Sequence, residues 1–266
     1  MNNDVAGCCC VYNDFSFLES VVENVIQFMN VFLFVSYSMY DGTSKIGDNE
    51  LTLKVIYKLK EKYGNRVSLI RKNWKNQIAQ RNETIKIINE SGYKYCFIFD
   101  SDEFYSEKDI VKILYYKDAY PLIDSFNTHF YTYFKKVRYR IEPLQQLKAL
   151  SLIKSTVELC KTRGTDNSKY SNCLIPQEDV CWHHLSHVRS DQQMFEKFII
   201  AKHEYGLNID WYHNVWLKWT SDMKNFHPND PTSFSHIVDL EKNQLPEFLQ
   251  KFYEKEEFYF SGEFLS

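Results

Sequence analysis

The chain has 266 residues, ample for one large α/β domain or two small ones with a sizeable buried core. With 44% hydrophobic and 25% charged residues, it has the composition of an ordinary soluble globular protein. A net charge of −3 offers no basic surface for nucleic acid, and the longest apolar run, Val31 to Val35, is far short of the roughly 20 residues of a membrane span.

Taken in order, Val5 to Val11 is small and apolar and reads as a first buried strand, broken by Asn13 and Asp14. Phe17 to Phe28 carries Leu18, Val21, Val22, Val25 and Ile26 at helical spacing. Val31 to Ser36 reads as a second strand and Tyr40 to Ser44 as a polar loop. Leu51 to Tyr63 is an amphipathic helix ended by Gly64-Asn65, and Val67 to Ile70 is a third strand. Gln77 to Ser91 is a third helix, with Gly92 just past its end. Tyr95 to Phe99, apolar on both faces, is a fourth strand running into Asp100.

The second half is less regular. Ser125 to Val137 predicts one strand or two, Ala149 to Cys160 another, and Thr162 to Asn172 a polar loop. Val180 to Arg189 reads as a strand, Asp191 to Tyr205 as a helix, and Leu245 to Tyr253 as a short amphipathic helix. Aromatics reach 17%; they suit a core, and those at Phe130, Tyr131, Tyr133, Phe134, Trp211, Tyr212, Trp216 and Trp219 also suit a sugar-stacking groove. Seven cysteines, three of them consecutive at Cys8 to Cys10, make a poor disulfide framework and read as reduced thiols. The N-terminus lacks the basic region of a signal peptide.

The first hundred residues therefore alternate β-α-β-α-β-α-β, which predicts a parallel sheet with helices on both faces. In such sheets ligands bind beyond the carboxyl ends of the strands. Asp14, Asp41, Arg71 and Asp100 each fall at or just past such an end. The fourth strand ends in Asp100-Ser101-Asp102-Glu103. In an extended segment Asp100 and Asp102 would share a side, and two carboxylates so placed suit Mg²⁺ or Mn²⁺, which prefer oxygen ligands and bridge to diphosphates. A solvated acidic turn is the simpler reading of the same four residues.

Four short motifs occur in order over residues 5 to 105: Tyr12-Asn13-Asp14, Asp41-Gly42-Thr43-Ser44, Ala79-Gln80-Arg81-Asn82 and Asp100-Ser101-Asp102-Glu103. Together they resemble a glycosyltransferase of the GT-A fold, close to family 2. The resemblance implies that Tyr12, Asp14 and Asp41 contact the base and ribose of a nucleotide-sugar. It implies that Arg81 reaches the diphosphate or donor sugar, that Asp100 and Ser101 lie against the donor, and that Asp102, with Asp100, ligates the metal. A helix-surface ion pair with Glu83 is the alternative for Arg81. The sequence departs from the family in having Cys10-Val11-Tyr12-Asn13 without the usual proline, and a single Asp at Asp41 where Asp-Asp is common.

Cys181-Trp182-His183-His184-Leu185-Ser186-His187 is similar to late-strand stretches of Asp-x-Asp-Glu transferases, which makes His184, then His183, the further metal ligands. Arg189 could clamp a diphosphate oxygen. An inverting transferase needs a carboxylate base; Glu178 and Asp179 fit by position, with Asp191 as rival, although Ser190-Asp191 also looks like a helix start.

The resulting expectation is an α/β protein, a GT-A type three-layer α/β/α sandwich with a mostly parallel central sheet. Residues 1–105 would bind the nucleotide-sugar, 106–219 the acceptor, and 220–266 would form a helical tail. The expected activity is transfer of a sugar, with inversion, from a nucleotide-diphosphate sugar to a glycan or glycoconjugate acceptor, using Mn²⁺ or Mg²⁺. The expected location is cytoplasmic, soluble or peripherally membrane-associated, with no nucleic-acid partner. A nucleotidyltransferase-like enzyme and a non-catalytic carbohydrate-binding protein of the same fold are the alternatives.

Overall fold

The computed structural model describes residues 4–38, 40, 49–144, 149–205, 209–228, 230 and 233–254. In chain order they form β1 (Val5–Val11), α1 (Leu18–Val25), β2 (Asn30–Ser36), α2 (Glu50–Tyr63), β3 (Val67–Lys72), α3 (Gln77–Glu90) and β4 (Tyr95–Ile98). There follow β5 (Glu103–Phe104), α4 (Glu107–Ala119), β6 (Ser125–Phe134), β7 (Lys136–Glu142), β8 (Ala149–Lys154), β9 (Leu159–Lys161), β10 (Gly164–Thr165) and β11 (Asn172–Leu174). The last elements are β12 (Cys181–His187), α5 (Asp191–Tyr205), α6 (Ile209–Trp211), β13 (His236–Asp239) and α7 (Glu247–Gln250). Packing divides the chain into one unit of Met1–His129 with Leu147–Trp182 and a second of Phe130–Gln146 with His183–Ser266.

In the first unit, β2 pairs with β3, β1 with β2, and β1 with β4, all parallel. Their order 3-2-1-4 is the doubly wound order in which adjacent carboxyl ends form one edge. Strand β8 runs antiparallel to β4, and the first half of β6 runs antiparallel to β8, so β6 regains the direction of β4. Strand β11 then adds in parallel to β6. These strands are thus mostly parallel, with β8 inverted among them.

Alternation along the strands explains the layers. Ala6, Cys8, Phe34, Cys96 and Ile98 face one side, where they pack with Ile85 and Ile88 of α3 and with Trp74. The opposite side takes α1 and α2, which are laced together by the pairs Lys58–Glu19 and Lys62–Glu23. Gly7 lies there under α1, and a methyl group at its Cα would meet Val25 and Phe99 at 3.1 Å. A residue without a side chain at this position lets helix and sheet approach closely. The three-layer α/β/α arrangement expected from sequence is present in this unit. Helix α3 starts at Asn76, whose side chain accepts from the Ala79 amide at 2.8 Å, and α4 starts with a Ser106–Asp109 capping box. Each such cap is worth about 1 kcal/mol.

In the second unit the later part of β6 pairs antiparallel with β7, and β7 with β13. The turn between β6 and β7 is one residue, Lys135, at φ 62°. Phe134 lies at the centre of an aromatic core with Trp211, Trp216, Phe226 and Phe234. Of the aromatics proposed for a sugar groove, Phe134, Trp211, Tyr212 and Trp216 are buried in this core, Trp219 packs against it partly buried, and Tyr131 is half-buried. All seven cysteines are free thiols; Cys8, Cys9 and Cys96 are buried and Cys160 is exposed. Among the described residues no helix is long and apolar enough to cross a membrane.

Candidate active site

The acidic tetrad leaves the first unit's sheet at the carboxyl end of β4. Phe99 still donates its amide to Cys8 O of β1, at 3.1 Å, and then the chain turns. Glu103 N donates to Asp100 O at 3.1 Å, and Asp100 N donates to Glu103 Oε2 at 3.2 Å. The segment is therefore a closed turn rather than an extension of the strand, and the same-side argument for Asp100 and Asp102 does not apply to it. Three backbone steps that would have alternated are instead curled so that Ser101, Asp102 and Glu103 are all buried. Ser101 Oγ donates to Asp14 Oδ2 at 2.7 Å, which joins the tip of β4 to the exit of β1 across 87 residues of sequence.

Arg81 is inside, not on the helix surface. Its side chain is 4% exposed, and its Nη2 donates to both oxygens of Asp100, at 2.8 and 3.1 Å. Glu83, the expected surface partner, pairs with Lys72 and accepts from Trp74 instead. A second guanidinium reaches the tetrad from far along the chain. Arg163 Nη1 contacts Glu103 Oε1 and lies 3.4 Å from Asp100 Oδ2, while Nη2 donates to Ile98 O at 3.2 Å and Leu150 O at 2.7 Å. Burial pushes the Asp100 carboxyl upward, but Arg81 and Arg163 more than offset this and hold it below the usual carboxylate range. Asp100 is therefore an ionised counter-ion to two buried cations.

Beneath the tip runs a polar chain. Tyr105 OH donates to Glu103 Oε2 at 3.5 Å and is 3.2 Å from Ser151 Oγ; Ser151 meets Thr128, and Thr128 Oγ1 accepts from Trp182 Nε1 at 2.8 Å. Trp182 stacks on Tyr105 with centroids 5.1 Å apart.

The other donor-side candidates lie on the same sheet edge. Tyr12 and Asp14 follow β1 directly and are partly exposed. Asn13 N donates to Asn49 Oδ1 at 2.7 Å, and Asn49 Nδ2 donates to Ser36 O at 2.8 Å, so one amide ties the exits of β1 and β2 to the start of α2. Arg71, at the end of β3, stacks over Tyr37 at 4.5 Å. Asp41 and the rest of its Gly42-Thr43-Ser44 loop lie outside the described residues.

Glu178 and Asp179 also belong to the first unit. Glu178 is exposed. Asp179 accepts from Tyr116 OH at 2.6 Å and pairs with Lys112 at 3.1 Å; these two partners lower its pKa. The remaining candidates belong to the second unit. His183 is buried against Tyr131 and Phe248, and its Nδ1 lies 2.7 Å from Tyr133 OH. Burial, with Arg140 nearby, pushes this imidazole down to about 3, so it is neutral. His184 is partly exposed and meets Phe130 edge-on at 5.4 Å. Arg189 is buried, with Nε donating to Ser186 O at 3.1 Å. Asp191 begins α5 and accepts from Lys135 Nζ and Trp216 Nε1, both at 2.8 Å. Burial would raise its pKa, but those two bonds bring it below the usual range.

Sequence reasoning brought Asp14, Arg81 and Asp100-Ser101-Asp102-Glu103 to one sheet edge, and the structure joins them by direct bonds. It missed Arg163 and Asn49. Arg163 sits in a polar stretch that reads as loop, and nothing local marks its buried partners. For a divalent cation the donor chemistry at the tip is mixed. Asp102 supplies a hard oxygen, whereas both oxygens of Asp100 already serve guanidiniums. Among the described residues no group of three or more His, Cys, Asp or Glu side chains is gathered as a metal shell.

No family model matches the chain, and no curated protein is similar to it. Solved structures align with it in part. The 1–349 segment of TarS from S. aureus aligns over 74% of this chain and 64% of its own, at 12% identity and a TM-score of 0.44. The chain thus spans just under two thirds of that segment. The 4-diphosphocytidyl-2C-methyl-D-erythritol synthase of Anaerococcus prevotii aligns over 74% of this chain and 96% of its own, at 11% identity and a TM-score of 0.42. A cytidylyltransferase of Leptospira borgpetersenii aligns over 66% and 76%, at 12% identity and 0.42.

Proposed function

We propose that the chain is a glycosyltransferase that binds a nucleotide-diphosphate sugar at the carboxyl edge of β1 and β4, with Mn²⁺ or Mg²⁺ as cofactor and a glycan or glycoconjugate as acceptor. The observation that supports this reading is the convergence of Asp14, Ser101 and Asp102 with the Arg81–Asp100 pair at the end of β4. Tyr12, Asp14 and Asp41 are assigned to the base and ribose, and Arg81 to anionic oxygens of the donor. Asp102 is assigned to the metal, with Asp100 as the charge that keeps Arg81 in place. When bound, the cation would offset charge developing on the leaving diphosphate.

For the base, a carboxylate works best with a pKa near the operating pH. The candidates are Glu178, which is exposed, Asp179, which is engaged by Tyr116 and Lys112, and Asp191, which is engaged by Lys135 and Trp216. The test is release of sugar from a panel of UDP-, GDP- and dTDP-sugars, with Mn²⁺ and with EDTA. Turnover should need the metal, and Asp102→Ala should abolish both turnover and nucleotide binding while the fold is kept. If no donor in the panel is bound or turned over, the reading fails. Pyrophosphate release from a nucleoside triphosphate would mark a nucleotidyltransferase instead.

A further inference from the structure

We propose that Arg163 is a positioning residue of this tip, holding the Asp100-to-Glu103 turn in the shape that presents Ser101 and Asp102 to a nucleotide diphosphate and its cation. The role deepens the donor-site reading and rests on it. Arg163 stands between β9 and β10 with its side chain 14% exposed. One planar group meets four partners: the carboxylates of Glu103 and Asp100, and the carbonyls of Ile98 and Leu150. It therefore ties the last residue of β4 and the neighbouring strand β8 to both ends of the turn. A guanidinium has five donors in a fixed fork, which a lysine ammonium cannot reproduce.

Charge gives the second part of the argument. Three carboxylates at the tip, Asp100, Asp102 and Glu103, stand against two guanidiniums, leaving one negative charge. Glu103 is 2% exposed and takes its cation from Arg163. Without Arg163 the Glu103 carboxylate loses the guanidinium that holds it inward and is drawn toward water. That movement breaks the bond from Asp100 N to Glu103 Oε2 that closes the turn. Arg163 touches neither donor nor metal in this scheme; it acts through Glu103 and Asp100.

The experiment compares wild type with Arg163→Met, Arg163→Lys and the double variant Arg163→Met/Glu103→Gln, which removes the stranded charge and so guards against simple unfolding. Two quantities are read: the dissociation constant of Mn²⁺ alone and with UDP, GDP or dTDP, and the hydrogen-exchange protection of the Asp100 amide, which Glu103 Oε2 holds at the turn. Arg163→Met and the double variant should bind Mn²⁺ with nucleotide at least tenfold more weakly, and the Asp100 amide should lose protection. Arg163→Lys, lacking the fork, should restore little of either. A folded variant lacking the guanidinium that binds Mn²⁺ with nucleotide within twofold of wild type overturns the proposal, as does unchanged protection of the Asp100 amide. If the wild type binds none of the three nucleotides, the donor-site reading fails, and the amide protection alone decides whether Arg163 holds the turn.

Discussion

Arg81→Met is the sharpest test of how the acidic tip is held. The change removes a guanidinium that is 4% exposed and gives Asp100 two bonds, at 2.8 and 3.1 Å. Breaking a buried ion pair by deleting one partner costs roughly 3–5 kcal/mol, most of it from the charge left behind. Two features reduce that figure here. The Asp100 side chain is 29% exposed, so water reaches it, and Arg163 remains 3.4 Å away. A loss of about 2–3 kcal/mol is expected. Adding Asp100→Asn removes the stranded carboxylate, so the double variant should lose about 1.5–2 kcal/mol less than the sum of the two single losses, and that difference is the coupling energy. Urea unfolding at pH 7 measures all four members of the cycle, provided the denaturant slope stays constant. Acid gives an independent check. The folded pKa of Asp100 is depressed, so the pair's stabilisation is complete above the ordinary carboxylate pKa and is lost as pH falls through the folded value. The gap between wild type and Arg81→Met should therefore begin to narrow at about pH 4. A coupling below about 0.5 kcal/mol, or a gap that acid leaves untouched, would mean that Arg81 acts only by packing.

Two further changes probe other parts of the molecule. Gly7→Ala places a methyl 3.1 Å from Val25 and Phe99 and should cost about 1–3 kcal/mol by overpacking α1 against the sheet; a melting temperature equal to wild type would show that the helix yields freely. In the second unit, burial holds His183 at about 3 and pushes His187 down as well, whereas both take a proton near pH 6.5 when unfolded. The unfolded chain then binds more protons below pH 6.5, so stability is full above that pH and falls on acidification by about 1.4 kcal/mol per pH unit for each imidazole. His183→Gln should remove one such contribution, and an identical slope between pH 6 and pH 4 would contradict the assignment.

Much of the first unit can be read from residue pattern alone, because parallel strands buried on both faces are apolar throughout and their helices carry a regular stripe. Helix α5 begins at Asp191 as the Ser190-Asp191 pair suggests, with Ser190 Oγ accepting from Gln193 N at 3.2 Å. The tip is legible as chemistry but not as geometry. Alternation foretells an extended Asp100 and Asp102, yet the buried cation at Arg163 draws Glu103 inward and the segment curls. The partners of Arg81 and Arg163 lie 19 and 60 residues away, at Asp100 and Glu103, and helical or strand periodicity carries no information about such pairs. Aromatic residues were ambiguous for the same reason: only the surrounding unit shows that Phe134 and Trp216 fill a core.

Asn49 has a consequence for how this edge could change over evolution. Its backbone sits at φ 63°, a region that asparagine tolerates better than most residues, and its buried amide fastens Asn13 N and Ser36 O. One side chain thus joins the end of β1, the end of β2 and the start of α2. A substitution there disturbs three elements at once and leaves the Asn13 amide and the Ser36 carbonyl without their bonds, so this position is less free to drift than an ordinary residue at a helix start.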